Sequence, residues 1–246
     1  MFWDFFTKCY NFFVEINNYN DFIDFLKSNN NSNKSEFDKK LISTKYKILG
    51  LKLPFLRKLA KEIVKNGKAE IILSNKNLSY YEEILVFGFV LSQVKIGEEE
   101  RINKIKNYIS IFDNWSVVDS FCSSLKVVNK NKDLYLEFIK FCLNSSNDFE
   151  IRFGIVLLMD YYLGEENLSE ILNLAISSQK DSYYIQMALS WLLATSFAKN
   201  FDKTYSFFCF NKKNLSEFVR RKTISKCNDS FRISAENKCK IKNLLS

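Results

Sequence analysis

Four residues combine side-chain types that can do chemistry with spacings that can bring them together: Trp115, Asp119, Arg152 and Trp191. Asp119 follows Trp115 by four positions, so on a helix the two share a face, one turn apart. Trp115, Arg152 and Trp191 are 37 and 39 residues apart, close to a repeat length described below. If equivalent helices line one face, the four gather two indoles, a guanidinium and a carboxylate in one groove. Each has an ordinary alternative, since Trp is commonly core and an Asp near a helix start is commonly solvated. Arg152 is harder to set aside, because it interrupts the apolar run Ile151-Arg152-Phe153-Gly154-Ile155-Val156 and a charge there needs a reason.

The chain has no histidine, which excludes a Ser-His-Asp or Cys-His engine, a His general base and a His-ligated metal. Any catalysis must rest on carboxylates, Lys, Tyr, Cys or aromatic surfaces. The six cysteines (Cys9, Cys122, Cys142, Cys209, Cys227, Cys239) never approach CxxC spacing, so neither a zinc site nor a disulfide framework is expected. Their mostly apolar settings read as buried, reduced thiols of a cytoplasmic protein.

The elements that must position these residues are helices. One proline and six glycines in 246 residues disfavour turn-rich β folds, and 47% hydrophobic content excludes a disordered chain. Caps followed by apolar residues at helical spacing place helix starts at 79, 114, 149, 182 and 215. Ser79 with Glu82 reads as a capping box, Asp148 as a cap, and Gly164 as a stop. A second series begins near 98, 131, 167, 201 and 234. Two interleaved series with one period of about 34 residues describe stacked helix pairs. The fold class expected is therefore all-α, an α-solenoid of HEAT-like antiparallel pairs. A single domain over 1–246 is expected, with residues 1–36 as aromatic-rich capping helices and 37–246 as the array. Asn29 to Ser35 reads as a polar linker, and Pro54 opens a helix that Gly67 stops.

Net charge is +8, unevenly spread. Residues 39–68 carry ten basic side chains against Glu62 alone, and residues 199–246 carry twelve against four acidic ones. The remainder is net acidic. Two basic blocks around an acidic middle are what a polyanion partner requires, although a Lys- and Asn-rich composition produces basic stretches by itself. The longest apolar run, Ile84 to Leu91, is too short to span a bilayer, and Asp4 interrupts the apolar N-terminus. A soluble, monomeric protein without a membrane segment is expected.

Phe112-Asp113-Asn114-Trp115-Ser116-Val117-Val118-Asp119-Ser120 resembles the N-W-x-x-x-D-S segment of the AlkD-like DNA alkylation repair glycosylases. Ile48-Leu49-Gly50-Leu51-Lys52-Leu53-Pro54-Phe55-Leu56-Arg57 resembles the family's LG-hydrophobic-x-x-P-x-x-R stretch. Glu150 to Ile155 and Tyr183 to Trp191 are similar to the next two blocks, in order, so the likeness covers about 36–235. It implies HEAT-like helix pairs and a glycosylase acting on N3- or N7-alkylated purines in double-stranded DNA. By that pattern Asp119 is the catalytic carboxylate, Trp115 and Trp191 contact the lesion's deoxyribose, and Arg152 contacts the DNA backbone.

The implied chemistry suits these residues. A cationic alkylpurine is already a good leaving group, and its departure leaves an oxocarbenium-like sugar that a carboxylate stabilises. Indole faces favour the same cation by about 0.5–2 kcal/mol each. No metal or other cofactor is called for, and the family need not flip the base into a tight pocket. The basic blocks supply candidate phosphate contacts: Lys52, Arg57, Lys58 and Lys61 at one end, Arg220, Arg221 and Lys222 at the other. The family's N-terminal cleft aromatic has no clear counterpart, since the equivalent stretch reads Lys39-Lys40-Leu41-Ile42. The alternative from another class is a non-catalytic solenoid that binds nucleic acid or a protein through the same groove.

Overall fold

A computed structural model describes residues 16–75, 77–164 and 166–245. Most of the N-terminal aromatic stretch, with Cys9, lies outside the described residues. Among those described the chain is all-α, with fourteen α-helices, two short 3-10 turns and one isolated β-bridge between Lys47 and Tyr80. It divides into two compact units, Met1–Arg101 and Ile102–Ser246. No helix among the described residues is long and apolar enough to cross a membrane.

The first unit holds α1 (Tyr19–Ser28), α2 (Ser32–Leu41), α3 (Leu53–Lys65), α4 (Ala69–Leu73), α5 (Tyr81–Gln93) and the first turn of α6 (Glu98–Ile109). The expected polar linker is half helix: the Asn31 side chain accepts the Lys34 N–H at 3.0 Å, so Ser32 to Ser35 form the first turn of α2. Pro54 sits at the second position of α3, where its missing N–H matters little, and Gly67 follows the C-cap at φ +69°. Leu56, Leu59, Ala60 and Ile63 form the buried stripe of α3, which packs on α5. Helix α5 is buried on nearly every side, which explains why its sequence is apolar all round.

The capping box predicted at Ser79 and Glu82 is shifted by one residue. Tyr80 is the N-cap, and Glu83 reaches back to accept the N–H groups of Ser79 (2.6 Å) and Tyr80 (2.9 Å). Glu82 points the other way, with none of its surface exposed. Its carboxylate accepts the backbone N–H groups of Leu49 (2.9 Å), Gly50 (2.7 Å) and Leu51 (3.2 Å). Gly50 lies at φ +81°, and a Cβ there would meet the Asn31 carbonyl oxygen at 2.3 Å, so only glycine fits this loop.

The second unit repeats one motif. Its inner series is α7 (Trp115–Cys122), α9 (Asp148–Tyr161), α11 (Tyr183–Lys199) and α13 (Glu217–Asp229), each packed on the next. Between them run α8 (Lys132–Leu143), α10 (Leu168–Ser177), α12 (Phe201–Asn211) and α14 (Ala235–Lys242). The starts lie within two residues of those read from caps and periodicity. Asn147 rather than Asp148 caps α9, through a 2.9 Å bond from the Phe149 N–H, and α9 ends at Tyr161, short of Gly164.

Hydrogen bonds cross from one repeat to the next at about the period. Ser182 donates to the Asp148 carboxylate, Lys180 to the Ser145 carbonyl (2.7 Å), and the Ser216 N–H to the Gln179 side-chain oxygen (3.0 Å). Phe121 and Phe153 stack at 5.7 Å in the core beneath α7 and α9, a contact worth about 0.5–1.5 kcal/mol beyond burial. Gly154 lets α8 approach α9, since a Cβ would lie 3.0 Å from Leu143. Cys122, Cys142 and Cys227 are buried thiols as expected, but Cys209 and Cys239 are exposed on the intervening helices.

Candidate functional site

Helix α7 is set by Asn114, whose buried side chain accepts the Val117 N–H at 3.1 Å. Ser116, Val117, Val118, Ser120, Phe121 and Cys122 are buried, which turns Trp115 and Asp119 to the remaining face. Trp115 is 39% exposed. Asp119, one turn on, keeps 16% of its side chain exposed.

Arg152 is buried on α9 and meets Asp119 with both prongs of its guanidinium. Nε donates to Oδ1 at 3.0 Å and Nη2 to Oδ2 at 2.8 Å, while Nη1 donates to the Tyr184 carbonyl of α11 at 3.0 Å. This explains the charge in an apolar helix. Three of its five N–H groups are engaged inside the protein. A bidentate fork uses one lone-pair position on each Asp119 oxygen and leaves the outward ones for a ligand. Burial pushes the Asp119 carboxyl above the usual carboxylate range, opposed by the Arg152 bonds and charge. The result is a fixed, partly dry carboxylate of raised basicity.

Trp191 lies on α11, the next helix of the inner series, and is 37% exposed. Tyr183, Met187 and Trp191 recur at four-residue spacing along one face of that helix. Lys226 of α13 was not singled out by the sequence, yet its charge acts on both Asp119 and Arg152. Burial, with Lys222 and Arg152 nearby, holds the Lys226 ammonium below its usual range. Asp160, two turns beyond Arg152 on α9, is half-buried, and desolvation lifts its carboxyl to about 6. The sequence reading missed the Asp119–Arg152 contact, and the signal that could have suggested it is their separation of 33 residues, about one repeat.

Of the other expected contacts, Lys52, Lys58 and Lys61 are exposed on the first unit. Arg57 is half-buried with its guanidinium 4.3 Å from the Phe89 ring centroid. On α13, Arg221 is exposed and paired with Glu217 at 2.7 Å, Lys222 is half-buried, and the Arg220 Nε is buried without a hydrogen-bond partner.

A stack of helix pairs with an arginine-clamped carboxylate between two of its helices is a helical-repeat fold with a candidate site. Residues 23–227 match the DNA alkylation repair enzyme model, and the chain belongs to that family. No curated protein matches the chain.

Proposed function

We propose that the protein is a DNA glycosylase hydrolysing the N-glycosidic bond of cationic N3- or N7-alkylated purines in duplex DNA. The observation that carries this reading is the Asp119–Arg152 pair. The pair keeps Asp119 partly exposed, at 16%, on the face of α7 that also carries Trp115. Held by two hydrogen bonds, it is preorganised to face a positive charge that appears only as the reaction proceeds.

As the bond from C1′ to the purine breaks, both electrons leave with the base, which departs neutral, and the positive charge passes to the sugar. Asp119 stabilises that oxocarbenium ion and orients a water molecule. The water oxygen bonds to C1′, and its proton passes to the carboxylate or to solvent. The raised basicity of Asp119 suits it to accept that proton. Trp115 and Trp191 present exposed indole surface to the cationic sugar. Arg152 acts as a positioning residue through Asp119. Lys52, Arg57, Lys58 and Lys61 with Arg220, Arg221 and Lys222 supply salt-sensitive, sequence-independent affinity for phosphates. The test is incubation with duplex containing 7-methylguanine, followed by assay for free base. Release is expected, and its absence from protein that binds the duplex overturns the glycosylase reading.

A further inference from the structure

We infer that the exposed ring pair Tyr183 and Phe218 is a stacking platform for an unpaired nucleobase of the DNA bound at the Asp119 site. The inference rests on the DNA-binding reading above and adds a feature of the preferred substrate. Tyr183 opens α11 and is 62% exposed, and Phe218 is the second residue of α13 and is 39% exposed. Their rings meet edge to face with centroids 6.1 Å apart. Tyr183 is also held edge to face by Tyr184 at 5.6 Å, and Tyr184 packs on Phe149 at 4.8 Å. Four aromatic rings thus run across the starts of α9, α11 and α13, and two adjacent ones, Tyr183 and Phe218, are open to solvent. Burial does not account for that exposure.

The location relates the platform to the site. The Tyr184 carbonyl accepts Nη1 of Arg152, so Tyr183 is one residue from the group that clamps Asp119. Phe218, Lys222 and Lys226 recur at four-residue spacing on α13, and Lys226 acts electrostatically on Asp119 and Arg152. The same face of α13 therefore runs from the platform towards the carboxylate.

Charge decides the occupant. The first ten residues of α13 carry Arg220, Arg221, Lys222 and Lys226 against Glu217 alone, which pairs with Arg221, so the helix that bears Phe218 is net positive. Rings flanked by cations suit a base joined to phosphates, because stacking supplies affinity without reading sequence. A paired base has both faces covered by its neighbours, so the occupant is a base displaced from the helix.

The experiment uses a duplex carrying 2-aminopurine opposite a tetrahydrofuran abasic site, compared with the same duplex fully paired. Wild-type protein should quench 2-aminopurine fluorescence and bind the unpaired duplex more tightly. Tyr183→Ala/Phe218→Ala should lose the quenching and about tenfold of that affinity, with paired-duplex affinity changed less than about twofold. Tyr183→Phe should retain both, since stacking needs the ring and not the hydroxyl. Equal quenching and affinity in wild type and the folded double variant overturns the platform alone. Failure of wild-type protein to bind either duplex overturns the DNA-binding reading, and the platform with it.

Discussion

Each unit buries a carboxylate within the first five residues of a helix, and the two are held in opposite ways. Glu82 is sealed from solvent and meets only backbone, accepting three consecutive N–H groups from the loop at Leu49 to Leu51. Asp119 meets a side-chain cation and keeps one edge open. In both, desolvation outweighs the favourable hydrogen bonds and raises the carboxyl above its usual range. What separates them is the lone pairs left over. Glu82 has spent its capacity on a loop that Gly50 alone can form, so it is a structural anchor. Asp119 is fixed by Arg152 on one side and faces exposed surface on the other, so it can serve a substrate. Burial and a shifted pKa are therefore insufficient to nominate a catalytic acid.

The comparison can be broken first at Glu82. Glu82→Ala removes the acceptor for three N–H groups, each costing about 1–3 kcal/mol when left buried and unpaired. A loss of about 4 kcal/mol in urea-unfolding stability is expected, with excision per folded molecule retained. A loss under about 1 kcal/mol would mean that the loop does not depend on Glu82. Asp119→Asn should show the inverse pattern. It keeps the size but removes the charge, so single-turnover release of 7-methylguanine should slow by about 10²-fold or more. Affinity for undamaged duplex should hold or rise, because a group repelling phosphate has gone. Wild-type excision rates in the folded variant would remove Asp119 from the mechanism.

Asp160 sharpens the contrast as a third, half-buried carboxylate. Its carboxyl, lifted to about 6, faces Lys126, Lys199 and Asp119, with desolvation the largest influence. A folded-state value above the unfolded one means that the folded protein binds the proton more tightly. That contribution is complete below about pH 4 and is lost as pH rises through about 6. Asp160→Asn, which does not titrate, should therefore gain stability relative to wild type across pH 4–6, reaching about 3 kcal/mol at pH 7. Thermal denaturation of both proteins across this range checks it, and a pH-independent difference would show that burial leaves Asp160 unperturbed.

The repeat was legible in the sequence because caps and 3.6-residue periodicity act locally. Asn114 needs only the Val117 N–H, Ser216 the Val219 N–H and Ser234 the Asn237 N–H, wherever the chain goes next. The residue types of the site were legible for a related reason. The absence of histidine and the charge at Arg152 within apolar neighbours limit the available chemistry whatever the fold. Local reasoning failed where partners are a repeat apart. Glu82 and Glu83 are adjacent glutamates at a helix start, and nothing local says which caps and which reaches a loop more than thirty residues away. Arg152 presented one guanidinium with two possible anions, a phosphate and Asp119. Only the packing of α7 against α9 put Asp119 within 3 Å and gave it the bond. Composition, caps and periods depend on near neighbours, so the sequence alone determines them. The choice among polar partners depends on which groups packing desolvates together, and that the tertiary structure decided.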